Sequence, residues 1–230
     1  LAQIDGKIRR PSSAARLPSS ASGPLLTDSD SIFVQGDYAY ITDSVNNTLS
    51  IVDISNPVFP RGIGMIADGT GGAQLAGARG VFVQGSYAYI AAYDDNMVEI
   101  LDVSEAARPR HLSTITTDGG GAGITAPWDV FVSGNHLFVT TDDGTFGTLE
   151  IYNVSDPERP IGVGQIVGNA SNTMEEPKNV YVEGKYAYVV SVNDDQISMI
   201  DVSTITNPKF TDTIDFGTLG AYDVVASGRY

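Results

Sequence analysis

Apolar and polar positions along this chain repeat in blocks. An apolar run closes on glycine at Val34-Gln35-Gly36, Val83-Gln84-Gly85, Val132-Ser133-Gly134 and Val182-Glu183-Gly184, and again at Ala226-Ser227-Gly228. The five glycines stand 49, 49, 50 and 44 residues apart. A period of that length marks stacked or ring-like repeats, because one unit alone cannot bury its apolar faces. After each full anchor comes a second strand, Tyr38-Ala39-Tyr40-Ile41, Tyr87-Ala88-Tyr89-Ile90, His136-Leu137-Phe138-Val139 and Tyr186-Ala187-Tyr188-Val189. A glycine and one polar residue between two apolar runs is hairpin chemistry.

A third strand follows an acidic turn, as Leu49–Asp53, Val98–Asp102, Leu149–Asn153 and Ile197–Asp201, and ends in a polar corner at Ser55, Ser104, Ser155 or Ser203. Serine, asparagine and proline end strands there. A fourth strand closes each unit, as in Gly62–Ile66, Leu112–Ile115, Gly162–Ile166 and Thr211–Ile214. The first strands, Val81-Phe82-Val83, Val130-Phe131-Val132 and Val180-Tyr181-Val182, are apolar on consecutive positions, the pattern of a strand covered on both faces. No segment shows helical periodicity. These features predict an all-β fold, a β-propeller of four-stranded antiparallel blades.

The expected division places the last strand of a preceding blade at 1–6 and a flexible Ser- and Pro-rich insertion at 7–30. Blades follow at 31–78, 79–127, 128–177 and 178–220, and a truncated blade begins at 221–230. The chain thus reads as four complete blades plus partial blades at both ends, a fragment of a larger propeller.

The third strand and its corner, in the forms Leu49-Ser-Ile-Val-Asp-Ile-Ser-Asn-Pro57 and Leu149-Glu-Ile-Tyr-Asn-Val-Ser-Asp-Pro157, resemble the LVIVD repeat, over residues 31 to 230. The resemblance implies a β-propeller of bacterial or archaeal secreted or cell-surface proteins, acting as a binding or adhesion scaffold toward a protein or glycan. Two positions depart from the pattern: Asn153 replaces the usual Asp and His136 the usual Tyr. Neither residue type is therefore a strict ligand in every blade.

Charge changes the picture next. Acidic residues outnumber basic ones 28 to 13, for a formal net charge of −15. That disfavours nucleic acid and anionic membrane surfaces as partners. No apolar segment approaches the roughly 20 residues of a spanning helix, so no membrane insertion is expected. The absence of cysteine excludes thiolate chemistry and disulfides.

In a four-stranded meander, the loops joining strands two and three share a face with the loops that lead into the next blade. The longest loops lie on that face, where rigid scaffolds usually carry function. Each unit also places an acidic turn there. Asp94 and Asp95, Asp142 and Asp143, and Asp194 and Asp195 are oxygen-rich and would suit Ca²⁺. The same residues are the ordinary chemistry of hairpin turns, and none has EF-hand spacing; the turn reading leads.

A second candidate is the position just before each first strand, expected at the mouth of the central channel. It holds Arg79 with Gly80, Trp128 with Asp129, Lys178 with Asn179, and Tyr222 with Asp223, and Asp30 in the first unit. These side chains differ in every blade, as an asymmetric ligand site requires. Catalytic signals are weak: His136 occupies a tyrosine slot in a hairpin, and His111, on an outer strand, is expected to be solvated. Two functions remain. One is a non-catalytic surface propeller that binds protein, glycan or Ca²⁺ through its acidic loop face. The other is a metal-dependent propeller hydrolase or lactonase at the channel mouth, which would need Asp30, Asp129, Asn179 and Asp223 to converge.

Overall fold

The computed structural model describes residues 28–116, 124–142, 144–172, 174–217 and 222–225. The expected stub at 1–6 and nearly all of the insertion at 7–30 lie outside these residues. Among the described residues sixteen strands form four antiparallel sheets, each a meander in chain order. The first holds β1 (Ser29–Gln35), β2 (Tyr38–Asp43), β3 (Thr48–Asp53) and β4 (Arg61–Ala67). The second holds β5 (Ala78–Gln84), β6 (Tyr87–Ala92), β7 (Met97–Asp102) and β8 (Arg110–Ile115). In the third are β9 (Asp129–Ser133), β10 (His136–Asp142), β11 (Gly147–Asn153) and β12 (Ile161–Val167), and in the fourth β13 (Pro177–Glu183), β14 (Tyr186–Ser191), β15 (Gln196–Asp201) and β16 (Lys209–Asp215). The β-propeller reading of the sequence is the fold observed. The first blade starts at Ser29, two residues earlier than the sequence suggests.

The corner after each third strand shows why its sequence recurs. Asp53 Oδ1 accepts hydrogen bonds from the Ser55 N–H at 3.0 Å and its hydroxyl at 2.6 Å. Asp102, Asn153 and Asp201 accept the N–H of Ser104, Ser155 and Ser203 at 2.9, 2.9 and 2.8 Å. An Asx turn needs only the carbonyl-like oxygen, so the amide at Asn153 serves as well as a carboxylate. The hydrogen bonds from serine hold the Asp53, Asp102 and Asp201 carboxyls below their ordinary range. A register shift between strands three and four also recurs, at Ile51/Val52, Ile100/Leu101, Ile151/Tyr152 and Met199/Ile200.

Cores form between blades. Tyr40, Leu49 and Ile51 of the first blade pack on Val81, Val83 and Ala88 of the second, and the same arrangement follows at the next two joints. Along the inner strands, Phe33, Phe82, Phe131 and Tyr181 form a ladder with ring centroids 4.4, 4.8 and 5.0 Å apart. Consecutive apolar residues in strand one are explained by this double cover. In the second blade Val81 and Val83 are 4 % and 2 % exposed, whereas their counterparts Ile32 and Val34 in the first are 62 % and 54 % exposed.

Polar side chains lock each joint. Gln35 reaches the Gly85 hairpin, donating to its carbonyl at 2.8 Å and accepting from its N–H at 3.0 Å, and Gln84 donates to the Gly134 carbonyl at 3.1 Å. On the opposite face Asn47 accepts the Gly77 N–H and Asn96 the Ala126 N–H, both at 2.8 Å. The outer strands approach closely too. A Cβ on Gly64 would lie 2.0 Å from the Ala106 carbonyl oxygen, and one on Gly164 2.0 Å from that of Ile205. At the intervening joint Ser113 takes the same register position and donates to the Pro157 carbonyl at 2.5 Å.

Candidate functional site

The residues expected just before the first strands lie mostly at the start of those strands: Asp30 in β1, Arg79 and Gly80 in β5, Asp129 in β9, and Lys178 and Asn179 in β13, with Trp128 directly before β9. They meet at the loop-face end of the inner strands. Their backbone needs a left-handed residue two positions ahead of Arg79, Trp128 and Lys178. Gly77 meets that need freely, whereas Ala126 and Glu176 adopt φ of 43° and 50°. A side chain in that region costs roughly 1–3 kcal/mol, and such strain often accompanies sites where geometry matters more than stability. The Asn96 side chain, holding the Ala126 N–H, is one of the contacts that fix the conformation.

Trp128 is the centre of the cluster. The Arg79 guanidinium, from the preceding blade, lies 3.7 Å from its ring centroid, and the Lys178 ammonium, from the following blade, 3.0 Å. Tyr93 meets Trp128 edge-on at 5.1 Å and also carries Arg79 at 4.2 Å. Burial lowers the Lys178 pKa, with Glu176 at 3.4 Å pulling it back.

Next to this cation–aromatic cluster stands Asp129. Its Oδ2 accepts from Asn179 Nδ2 at 3.0 Å and the Val180 N–H at 3.1 Å, and Asn179 Oδ1 in turn accepts the Val224 N–H at 3.2 Å. Gly80 leaves room for it, since a Cβ there would fall 2.3 Å from Asp129 Oδ1. Burial pushes the Asp129 carboxyl up to about 7, two backbone N–H groups oppose the shift, and Asp223 adds to it.

These groups surround a cavity of about 480 Å³. Arg79, Trp128, Asp129, Lys178, Asn179, Tyr222, Asp223 and Asp30 all line it, joined by Ser31, Gly80, Glu176 and Val192. Small-molecule sites commonly span 300 to 1,000 Å³. Tyr93 and Glu176 were not singled out in the sequence. Tyr93 follows the second strand directly, and its aromatic break from the preceding alanines was the available signal.

The acidic turns are arranged differently, one in each blade. Asp95 Oδ2 accepts the Ala76 N–H at 2.9 Å, Asp142 Oδ1 that of Gly144 at 2.8 Å, and Asp194 Oδ2 that of Glu175 at 2.6 Å. Asp94 lies against Gly77, Asp195 sits at φ 53° in its turn, and Asp143 lies outside the described residues. Among the described residues no three His, Asp or Glu side chains come together as a metal site. Asp30, Asp129, Asn179 and Asp223, whose convergence a metal hydrolase would need, all line this cavity, and the first three accept the backbone N–H groups of Ser44, Val180 and Val224.

Away from the mouth, His111 corrects an expectation. It is half-buried rather than freely solvated: its Nδ1 lies 2.7 Å from Oε1 of Glu99, a carboxyl fully buried on β7. The Gln74 N–H also donates to Glu99, at 3.2 Å. Burial pushes Glu99 up to about 7 even against these partners. At the same point of the third blade, Glu150 is equally buried and also raised to about 7 by burial. It makes no hydrogen bond among the described residues, and Gly162 holds the place of His111. Glu150 instead faces a cavity of about 280 Å³ with Tyr152, Gly162 and Thr206. Among the described residues no helix is long and apolar enough to cross a membrane.

Comparison with known proteins agrees with this architecture. A family model described as "LVIVD repeat" matches residues 27–67, 77–117, 125–166 and 176–215. No curated protein matches the chain. Among solved structures, a protein of Bacteroides uniformis ATCC 8492 provisionally described as a 6-phosphogluconolactonase superposes with a TM-score of 0.64 at 16 % identity, covering 83 % of this chain and 56 % of its own. The periplasmic gluconolactonase PpgL of Pseudomonas aeruginosa gives 0.63 at 16 %, covering 83 % and 55 %. The computationally designed protein Ika8 gives 0.61 at 10 %, covering 87 % and 53 %. At such identities the likeness is one of fold, and the chain spans little more than half the length of these structures.

Proposed function

The chain belongs to the LVIVD-repeat family, and on that premise we propose that it is a non-catalytic ligand-binding propeller module with its site at the channel mouth. One observation carries the reading. Four repeats and the segment after them bring Asp30, Arg79, Trp128, Lys178 and Tyr222, equivalent in their spacing from the anchor glycines, around one cavity of about 480 Å³. A purely structural position would favour one residue type; a site for an asymmetric ligand requires several. The module is proposed to act outside the cell or at its surface, toward a protein or glycan that presents a small group to the mouth. A thermal-shift screen of neutral, cationic and anionic small molecules tests it. Compounds that raise the midpoint of the wild type but not of Trp128→Ala support the mouth; a screen with no such compound refutes it.

The second reading, a hydrolase or lactonase, is favoured by Asp129, whose carboxyl is raised to about 7 beside Asp223 and could exchange protons near neutrality. The carboxyl is already committed to Val180 and Asn179. Lactone hydrolysis that disappears in Asp129→Asn with the fold intact would reverse the order of the two readings. Binding of Ca²⁺ by the acidic turns is a further proposal, tested by calorimetric titration and by the thermal midpoint with and without EDTA.

A further inference from the structure

The mouth also contains a clue to its ligand, which rests on the reading of this cavity as a binding site. Arg61, Arg110 and Lys185 on the surface each find a carboxylate, as Lys178 does in the mouth. Arg79 does not. Among the described residues its guanidinium forms no ion pair and no side-chain hydrogen bond, and, unlike the exposed Arg108, Arg159 and Lys209, which also lack an ion pair there, it has a buried Nε without a partner. Its contacts are the faces of Trp128 and Tyr93. Ring stacking uses the plane of a guanidinium and leaves the N–H edge unspent. An unpaired charged donor away from water is costly, and it persists here in a chain carrying a formal charge of −15, rich in carboxylates that were available to pair it.

The neighbours sharpen the point. Lys178 shares the same indole, so two cations converge on one wall of the cavity. Glu176 already pairs with Lys178 on that wall, and Asp30, Asp129 and Asp223 also line the cavity. An anionic head is therefore welcome on the Arg79 side only, and a second negative group would face carboxylates. We propose that the mouth binds a small organic oxyanion with a single carboxylate or phosphate head seated on Arg79 and an uncharged remainder directed toward Asn179 and Asp129. The fork of five donors on arginine suits either oxyanion in a bidentate pair.

Trp128 is the only tryptophan of the chain, so its fluorescence reports the mouth alone. The test is titration of the wild type, Arg79→Gln, Arg79→Lys and the surface control Arg110→Gln at fixed ionic strength. The probes are glucuronate, glycerol phosphate, glucose and glucosamine, and thermal midpoints check that each variant folds. The expected result is a saturable change with glucuronate or glycerol phosphate and none with glucose. Affinity falls at least tenfold in Arg79→Gln, falls less in Arg79→Lys, and is unchanged in Arg110→Gln. The glucuronate and glycerol phosphate arms separate a carboxylate from a phosphate ligand. Flat anion titrations, or equal affinity in folded Arg79→Gln, overturn the proposal. If glucose or glucosamine saturates the signal equally in wild type and Arg79→Gln, the mouth is a binding site without an anion requirement. If no probe moves it and the thermal-shift screen is also empty, the binding reading falls as well.

Discussion

The second and third blades bury a glutamate at the same point of their third strands and treat it in opposite ways. Glu99 has His111 at 2.7 Å and a backbone N–H, while Glu150 has Gly162 in place of the histidine and faces a cavity. The outer joints of the two blades differ as well. Ser113 makes a hydrogen bond across one, and Gly164 lets two backbones touch at the other. A repeat thus keeps its backbone while neighbouring blades solve the same steric and electrostatic problem with different residues. The position is conserved in geometry and free in chemistry.

The joint offers the largest test. Gly164→Ala drives a methyl into the Ile205 carbonyl and should cost roughly 3 kcal/mol, or roughly 6 to 12 °C of thermal midpoint for a domain of this size. Ser113→Ala should cost only about 1 kcal/mol, the worth of one hydrogen bond. Equal losses in calorimetry would mean that the two joints are not packed as described.

Removing the histidine should make the second blade behave like the third. In His111→Ala, Glu99 keeps only the Gln74 N–H, and about 2 kcal/mol should be lost at pH 8. Less is lost at pH 5, where the carboxyl is protonated and no buried charge remains. A loss independent of pH would show that His111 acts through packing alone.

Glu150 provides the converse. Its folded pKa, about 7, stands above the ordinary 4.5. Between those values the folded chain keeps a proton that the unfolded chain releases. Stability from this residue is therefore greatest below pH 4.5, declines as pH rises toward 7, and levels off above. Glu150→Gln should stabilise the chain by about 2 kcal/mol at pH 8 and change little at pH 4.5, as read by urea unfolding at both. The smallest effect belongs to Gly162→His, which supplies the missing partner. It should shift stability by under about 1 kcal/mol while flattening the wild-type decline between pH 5 and 7.

Much of this fold could be read from the chain because strand, hairpin and corner are local. The Asp-x-Ser turn closes within three residues, so the recurrence of Asp53, Asp102 and Asp201 and the exception at Asn153 report one geometry. The mouth residues followed from register, since equivalent positions in a ring meet at one end. What escaped depends on contacts across strands or blades. His111 and Glu99 are 12 residues apart and meet only through the β7–β8 pairing. Gly64 and Gly164 read as ordinary strand glycines until the next blade's corner is placed against them. Whether the aspartates of the acidic turns face a metal or a backbone N–H depends on the neighbouring loop, and no spacing rule encodes that.

Among the described residues most side-chain locks between blades point one way, while Asp95, Glu99 and Asp194 reach back to the connection before their own blade. Gln35, Asn47, Gln84, Asn96, Ser113, Asp129 and Asn179 each reach forward to the backbone of the blade that follows. A ribosome delivers the chain in that same order. Each of these forward contacts therefore gains its backbone partner only when the following blade has been made, so they become available in the order of synthesis.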